Sequence, residues 1–269
     1  MSPPPAQDRI RTRIWSEEPE ADDGFSTRVA YCRGYDVYGE LVGQARWVEM
    51  LVLLLRGEAP SDREAGLLEA LAVALANAGP RHPATHAAMC AGAGGSTAAA
   101  ALMAALAVDA GQHAGAREVW QAMRRWAACG TQRDRWEAAL AAADPEPPAA
   151  IWPHTAHVAG FEPYRAQACL AVRQLLGVLA ELSPGPCLPW LRRERESLEC
   201  AAARGVAFSG VVAAALCDLG FTPDQGEMLY LLLRLPGAAA HALEQREYGF
   251  KDFPFFSLEL EDDPQGAPA

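Results

Sequence analysis

The stretch Val108-Asp-Ala-Gly-Gln-His-Ala-Gly-Ala116 decides the predicted fold, because it joins two helices and presents a single histidine between them. A run rich in Ala, Leu and Met from Ser96 to Val108 favours the first helix, and Gly111 is a natural terminator. The small residues around His113 let another backbone or a ligand approach closely. Taken alone, the stretch also fits a helix–helix turn with an incidental surface histidine, so the function has to be argued from the rest of the chain.

The composition is that of a globular protein without a general affinity for nucleic acid. The 269 residues suffice for one large domain or two unequal ones, and 51% of them are hydrophobic. The net charge of -11 argues against nucleic-acid binding, although local arginines can still bind anionic ligands. The apolar stretches are too short to span a bilayer, and the first residues show no signal pattern. Seven cysteines without a Cys-x-x-Cys motif favour a reducing, cytoplasmic location and indicate neither a disulfide framework nor a zinc site.

Helical periodicity dominates the chain and predicts an all-α fold. Apolar residues recur at helical spacing, and Ser61-Asp-Arg-Glu64 is a capping box. Strand signals are nearly absent: residues 29–32 are a short strand or an extended segment, 1–28 a loosely ordered arm, and 259–269 a disordered tail. The predicted helices cover approximately residues 42–56, 64–78, 84–93, 96–108, 116–128, 133–143, 166–182, 191–203, 209–219 and 223–235, and 236–245 continues the last one after a kink at Pro236.

Motifs of several common enzyme classes are missing from the sequence. It contains no P-loop, no Gly-x-Ser-x-Gly elbow, no His-Glu-x-x-His and no EF-hand loop. Gly92-Ala-Gly-Gly95 follows no strand pattern, so we interpret it as a bend. The charged run Arg192-Arg-Glu-Arg-Glu196 is typical of a solvated helix face, and the tryptophans are typical of a core. We therefore expect no metal site.

Several further segments match a known enzyme family in their order and spacing. They are Arg33-Gly-Tyr-Asp-Val37, Leu41-Val-Gly43, Glu49, Leu53-Leu-Leu-Arg-Gly-Glu-Ala-Pro60, Gly210-Val-Val-Ala-Ala-Ala-Leu-Cys-Asp-Leu-Gly-Phe221 and Leu235-Pro-Gly-Ala-Ala-Ala-His-Ala-Leu-Glu-Gln245. Over residues 10–250 the chain resembles the citrate synthase superfamily, and among its members most closely the short citryl-CoA lyases. The resemblance implies a large helical domain (1–113 and 207–269), a smaller one (114–206) and an active site in the cleft between them.

The segments that carry two catalytic histidines in that family have counterparts here. Asp109-Ala-Gly-Gln-His-Ala-Gly-Ala116 is similar to the family's Gly-x-x-His-Gly-Gly-Ala turn, which implies His113 as the first catalytic histidine. Pro153-His-Thr-Ala-His157 is similar to Pro-Gly-Phe-Gly-His, which implies His157 as the second. The other site residues implied by the resemblance are Arg165 and Arg246 for substrate carboxylates, and His82 and His86 near the nucleotide of coenzyme A.

The sequence departs from the family where its catalytic aspartate is expected. The family's Asn-x-Asp-Gly type of segment reads Ala207-Phe-Ser-Gly210 here, so Ser209 takes the aspartate position. Asp218 is no replacement, since it lies several turns further along the next predicted helix. The glycine-rich approach to His157 has become Pro-His-Thr-Ala, and an arginine expected in the segment 83–89 reads Met89. A serine hydroxyl is too weakly basic to be a general base without an activating partner.

The implied residues suit aldol chemistry on an acyl-CoA. One histidine donates a hydrogen bond to the enolate oxygen, the second exchanges a proton with the hydroxyl or carbonyl group, and arginines hold the carboxylates. Losing a positioned base costs about 10²–10⁴ in rate, and condensation should suffer more than cleavage. We therefore predict citryl-CoA lyase-type cleavage of a 3-hydroxy-acyl-CoA, or its condensation by a citrate synthase-like acyltransferase. The CoA thioester is then a substrate, and we expect no tightly bound cofactor.

Two other classes of function remain open on the sequence. A catalytically impaired or dead homologue would bind a CoA ester or a protein partner, because Ser209 replaces the aspartate, and a helical interaction module outside the superfamily is the third class. Thermal stabilisation by CoA esters separates the first two classes from the third, and product formation separates the first from the second. The small residues of segments 92–106 and 209–219 also predict a homodimer, since such helices pack closely against copies of themselves.

Overall fold

The computed structural model describes residues 10–142 and 158–253, and it confirms the predicted, mainly helical class. The strands are β1 (Trp15–Pro19), β2 (Thr27–Cys32) and β3 (Tyr35–Asp36). The helices are α1 (Trp47–Arg56), α2 (Asp62–Leu75), α3 (Pro83–Ala93), α4 (Ala98–Asp109), α5 (Ala116–Cys129), α6 (Arg133–Ala141), α7 (Leu170–Leu182), α8 (Cys187–Ala202), α9 (Phe208–Asp218) and α10 (Pro223–Tyr248). A π-helical turn (Val37–Leu41) follows β3, and a 3₁₀ turn (Phe250–Asp252) follows α10. The tail 259–269 lies outside the described residues.

The segment predicted as a loosely ordered arm contains a strand. β1 pairs antiparallel with β2, with Trp15 opposite Cys32, and β2 pairs antiparallel with β3. Ala30 and Cys32 of β2 are buried, which confirms the strand alternative for residues 29–32. The prediction is wrong for Trp15–Pro19, because a strand that is exposed on both faces has no alternation of apolar and polar residues to reveal it.

The start of α1 lies five residues beyond the predicted position. Asp36 accepts hydrogen bonds from the amides of Tyr38 and Gly39, so it starts the π-helical turn ahead of the helix. α1 itself begins at Trp47. Its start is capped by Glu49, which accepts a hydrogen bond from the amide of Arg46 at 2.7 Å. The first residues of the predicted helix, 42–46, instead lie in the connection between the π-helical turn and α1.

Two other boundaries shift because side chains elsewhere bind the backbone. α7 starts at Leu170 rather than at residue 166, since the amide of Ala168 donates to Glu199 of α8 at 2.9 Å. α8 starts at Cys187 rather than at residue 191, because Asp218 accepts from the amide of Cys187 at 2.6 Å. α10 runs through Pro236 as one helix, which confirms the predicted continuation.

By its packing the chain separates into two compact units. Unit 1 comprises residues 1–76 and 110–233, and unit 2 comprises residues 77–109 and 234–269, so the boundary falls inside α10. The large and small domains that the family resemblance implies, and the cleft between them, stay predictions. Among the described helices none is long and apolar enough to cross a membrane.

Unit 1 is built around α9. Residues Ser209 to Leu216 of this helix are buried, and α5, α7, α8 and α2 pack on it. Its run of small residues permits this close packing from several sides, and larger side chains fill the space around it. One edge of the core holds three tryptophans, Trp126, Trp136 and Trp190, with ring centroids 4.8–6.0 Å apart.

Unit 2 contains α3, α4 and the second part of α10. Its small core consists of Ala88, Ala101, Ala105, Ala238 and Ala242. α3 and α10 approach closely at Gly92, where a Cβ atom would stand 2.2 Å from the carbonyl oxygen of Ala242. The small side chains therefore allow these helices to pack at short backbone distance.

Candidate active site

Ser209, the residue at the predicted aspartate position, lies in the first turn of α9 and binds a carboxylate. Its Oγ donates a hydrogen bond to Oε1 of Glu118 at 2.6 Å. Both residues are buried in unit 1, Ser209 at 8% exposure and Glu118 at 4%. The position at which the family resemblance predicts an acid is therefore in direct contact with an acid from another helix, α5.

Glu118 is held by two backbone amides in addition to Ser209. Its Oε2 accepts from the amide of Ala114 at 2.6 Å, and its Oε1 accepts from the amide of Gly160 at 3.3 Å. A buried carboxylate is costly unless hydrogen bonds replace its water shell, and three donors from three chain segments do so here. The side chain is consequently fixed in place rather than free to change rotamer.

His113 belongs to the turn that precedes α5. The turn exposes His113 and continues into Ala114, whose φ of 56° is in the left-handed region. That conformation, uncommon for a residue with a Cβ, directs the Ala114 amide at Glu118 one helical turn ahead. The turn of His113 and the start of α9 at Ser209 are thus tied to the same carboxylate.

A close backbone contact joins the segment after residue 157 to the start of α9. A Cβ atom on Gly210 would lie 2.3 Å from the carbonyl oxygen of Gly160, and that oxygen accepts from the amide of Ala207 at 2.9 Å. Phe161 and Val206 extend the contact as an isolated antiparallel bridge. Only glycine at positions 160 and 210 permits this approach, which brings the Gly160 amide to Glu118.

Arg165 is exposed in unit 1, and its carbonyl accepts from the amide of Gly205 at 2.7 Å. Gly205 in turn accepts from the amide of Glu162 at 2.7 Å, so the segment of Arg165 runs beside the approach to α9. His157 lies outside the described residues. Its predicted role, and the carboxylate-binding role of Arg165, stay predictions.

The remaining predicted site residues, His82, His86 and Arg246, lie in unit 2. His82 caps α3, where its Nδ1 accepts from the amide of Ala84 at 3.3 Å. The ring of His86 is 5.8 Å from that of Phe253, and Arg246 donates a short hydrogen bond to the carbonyl of Ser96. Their roles toward coenzyme A and a carboxylate stay predictions.

A buried acid in unit 2, Asp109, lies beside a histidine and an arginine. Its carboxylate is 3.9 Å from Nε2 of His82 and 3.5 Å from Nε of Arg234. Burial raises the pKa of Asp109, and its interactions with Arg234 and His82 oppose that rise. The same His82 ring therefore both caps a helix and faces an acid.

Asp218 has a structural role. Its carboxylate accepts from the amides of Cys187 and Leu188 at 2.6 and 2.8 Å and from Oγ of Ser183 at 2.7 Å. These bonds cap the start of α8, in agreement with the prediction that Asp218 does not replace the missing aspartate. Burial raises the pKa of the Cys187 thiol, and the negative charge of the nearby Asp218 raises it further.

Three of the cysteines, Cys129, Cys187 and Cys217, are poor candidates for a nucleophile because burial raises the pKa of their thiols. All seven lie in the described ranges and are free thiols. Burial raises the pKa of Cys217 to about 12, so this thiol is protonated at neutral pH. Within residues 10–142 and 158–253, no group of three or more His, Cys, Asp or Glu side chains is placed to hold a metal ion.

Glu118 is the site residue that sequence reasoning missed. It lies on the buried face of α5, together with Val119, Ala122 and Trp126. A charged residue on an apolar helical stripe was the available signal, since an acid there needs partners to remain buried. The sequence could not identify those partners, because Ser209 is 91 positions away.

Comparison with known proteins gives the fold. No protein-family model matches the sequence, and neither does any curated protein. Citryl-CoA lyase from Hydrogenobacter thermophilus is similar in structure, with a TM-score of 0.73 and 21% identity over 97% of this chain and 96% of that one. ATP citrate lyase from Methanothrix soehngenii, in complex with citrate and coenzyme A, has a TM-score of 0.69 and 15% identity over 96% of this chain. A mutant ATP citrate lyase from Methanosaeta concilii, in complex with (3S)-citryl-CoA, has a TM-score of 0.66 and 14% identity.

The two ATP citrate lyases are longer proteins, and this chain spans 43% of the length of each. Citryl-CoA lyase, by contrast, is matched over nearly its whole length. Because all three identities are low, the likeness concerns the architecture. The chain has the citrate synthase-like fold of citryl-CoA lyase.

Proposed function

We propose that this protein cleaves a 3-hydroxy-acyl-CoA of a carboxylic acid by citryl-CoA lyase-type chemistry. The observation that carries the proposal is the buried carboxylate of Glu118, which binds both the Ser209 hydroxyl and the peptide that follows His113. A fixed acid beside a histidine turn suits the formation and protonation of an enolate. The fold shared with citryl-CoA lyase supports the same chemistry, as do the citrate, coenzyme A and citryl-CoA bound by the ATP citrate lyases.

The proposed cleavage breaks the carbon–carbon bond between the α-carbon of the thioester and the hydroxyl-bearing carbon. His157 takes the hydroxyl proton as the carbonyl group of the departing oxo acid forms. The electron pair of the broken bond passes to the thioester as an enolate, whose oxygen accepts a hydrogen bond from His113. A proton then adds to the α-carbon to give the acyl-CoA product, and Arg165 and Arg246 bind substrate carboxylates.

The thioester is the substrate in this proposal, and His82 and His86 would lie near its nucleotide. Cleavage is favoured over condensation, because a serine at position 209 cannot by itself remove a proton from the α-carbon. The alternative is a protein that binds a CoA ester or a protein partner without turnover. Ser209 is the observation that favours this alternative, since the acid of the family is absent from that position.

Incubation with citryl-, methylcitryl- and malyl-CoA, followed by mass detection of products, tests the proposal. We expect at least one thioester to be cleaved to an acyl-CoA and an oxo acid. His113→Ala should abolish cleavage without unfolding the protein, because the side chain is exposed. Thermal stabilisation by these thioesters without any product would favour the binding alternative. No stabilisation would refute both cleavage and the binding of a CoA ester, and would leave only the binding of a protein partner.

We also propose that the protein is a homodimer that associates through α4. This helix is apolar on all sides. Met103 and Val108 are 61% and 42% exposed to solvent. An apolar helix with an exposed face favours association with a second copy. The other segment of the prediction, α9, is wrong for an interface, because α5, α7 and α8 already bury it within unit 1.

Light scattering at micromolar concentration tests the dimer. We expect twice the chain mass of 28.8 kDa for the wild type. Met103→Lys places a charge on the exposed face of α4 and should shift the mass toward that of one chain. A wild-type mass of one chain would refute the dimer.

A further inference from the structure

We infer that Ser209 and Glu118 form a proton relay that does the work of the missing aspartate. In this relay Ser209 contacts the α-carbon of the thioester, and Glu118 accepts or supplies the proton through the serine oxygen. The inference rests on the proposed acyl-CoA chemistry and deepens it. It removes the difficulty that a serine alone is too weak a base, because the serine has a carboxylate as its activating partner.

The geometry directs the hydroxyl proton of Ser209 toward Glu118. The donor–acceptor distance of 2.6 Å is that of a strong hydrogen bond to a carboxylate. Because the hydroxyl donates to Oε1, the lone pairs of Oγ point away from Glu118 and can accept a proton from a substrate. Ser209 is also the less buried of the two residues, at 8% exposure against 4%, so we place its oxygen between Glu118 and the ligand.

The carboxylate cannot reach a substrate by a change of rotamer. Its Oε2 is bound to the amide of Ala114 at 2.6 Å, and its Oε1 is also bound to the amide of Gly160 at 3.3 Å. Swinging Glu118 out would break its bond to the Ala114 amide and would take this acceptor from the buried Gly160 amide, at a considerable free-energy cost. A proton that moves between Glu118 and a substrate must therefore pass through Ser209.

The step balances in both directions. For enolate formation, the α-carbon–hydrogen bond breaks and its proton adds to Oγ of Ser209, while the original hydroxyl proton of Ser209 passes to Oε1 of Glu118. The electron pair left on the α-carbon delocalises onto the thioester oxygen, which accepts a hydrogen bond from His113. In cleavage the relay runs backwards from a protonated Glu118, which passes its proton to Ser209 as Ser209 protonates the enolate carbon. Solvent then returns a proton to Glu118, and His157 releases to solvent the proton that it took from the hydroxyl group.

Exchange of the methyl protons of acetyl-CoA with D₂O, followed by mass spectrometry, tests the relay on the full chain. We expect the wild type to incorporate deuterium, because enolate formation alone suffices. Ser209→Ala removes the relay oxygen but keeps both backbone amides on Glu118, and it should slow the exchange by about 10²–10⁴-fold. Acetyl-CoA should raise the melting temperature of Ser209→Ala as much as that of the wild type. Ser16→Ala, at an exposed position of β1, is the matched control and should exchange at the wild-type rate.

Two variants distinguish a proton relay from a purely structural role of Glu118. They are the single variant Glu118→Gln and the double variant Glu118→Gln/Ser209→Asp. Glutamine cannot accept from both amides, so the single variant should be less stable and should lose exchange. The double variant carries its own carboxylate at position 209 and should recover exchange, whereas purely structural damage from Glu118→Gln would persist. Recovery of exchange by at least about tenfold over Glu118→Gln is expected for a positioned base.

Four outcomes would overturn the relay. Undiminished exchange in Ser209→Ala would remove the serine from the pathway. A double variant that folds and binds acetyl-CoA but does not recover exchange would mean that the Glu118 carboxylate supports the site without taking part in proton transfer. If the wild type cleaves a thioester while both single variants retain wild-type exchange, only the relay fails, and the proposed function stands. If the wild type neither cleaves nor exchanges, the proposed function and the relay fail together.

Discussion

Ser209→Asp, which introduces the acid that the family resemblance predicts at this position, should destabilise the folded protein because of Glu118. The serine oxygen is 2.6 Å from Oε1 of Glu118, so the new carboxylate would lie against a buried one. Two unit charges at about 3 Å repel by about 5 kcal/mol at an effective dielectric constant of about 20. The pair should therefore hold one shared proton at neutral pH, as neighbouring carboxylates in one site do.

The shared proton makes the stability of Ser209→Asp depend on pH with a definite sign. The folded variant keeps a proton that the unfolded chain releases above about pH 4, so the free energy of unfolding falls as the pH rises. Urea unfolding at pH 5 and pH 8 should show a destabilisation relative to the wild type that grows toward pH 8, by several kcal/mol. Ser209→Asn, of the same size but uncharged, is the control, and its difference from the wild type should not change with pH.

A double-mutant cycle with Glu118→Gln separates repulsion from crowding. In the Glu118→Gln background the new aspartate is the pair's only carboxylate, so the cost of Ser209→Asp should shrink by several kcal/mol. An equal cost in both backgrounds, unchanged between pH 5 and pH 8, would refute the electrostatic reasoning. Such a result would mean that the larger side chain simply does not fit.

Three further substitutions test the supports of the site and of unit 1 by urea unfolding. Ala114→Gly should stabilise the protein by about 1 kcal/mol, because glycine adopts the φ of 56° without the Cβ clash; a loss of stability would contradict this. Gly210→Ala should destabilise by more than about 3 kcal/mol, since its Cβ would lie 2.3 Å from the carbonyl oxygen of Gly160, and near-wild-type stability would exclude the close approach. The hydrogen bond from Arg56 lowers the pKa of Glu64 to about 2, so Glu64→Gln should cost about 2 kcal/mol at neutral pH. That difference should disappear as the pH falls from about 4.5 toward 2, and a difference independent of pH would assign the effect to lost packing instead.

The helical fold was predictable because its signals are local. Ser61 and Glu64 form the capping box that their spacing indicates, with the Ser61 amide donating to Glu64 at 2.7 Å. Gly57 ends α1 in the left-handed conformation that only glycine adopts at low cost. Each of these features depends on residues within one helical turn, so the sequence alone contains the relevant information.

The elements that sequence reasoning missed depend on distant partners. β1 has no apolar alternation, and it is a strand because its residues pair with β2. The start of α8 is set by Asp218, 31 positions away from Cys187 along the chain. In the candidate site, Ser209 is a candidate because an expected residue is absent, whereas the contact of Glu118 with Ser209 depends on which helices pack together.

The carboxylate of the candidate site comes from α5 and not from the start of α9. This origin gives the acid a structural role in addition to its proposed chemical one. Glu118 binds the turn of His113 through Ala114, the segment of Gly160, and α9 through Ser209. An acid at position 209 would belong to α9 alone, but Glu118 holds three segments in register and serves as their common acceptor. Any substitution of Glu118 therefore disturbs the geometry of the site together with its chemistry. A variant at position 209, which leaves both backbone amides on Glu118 in place, is the one that separates proton transfer from support.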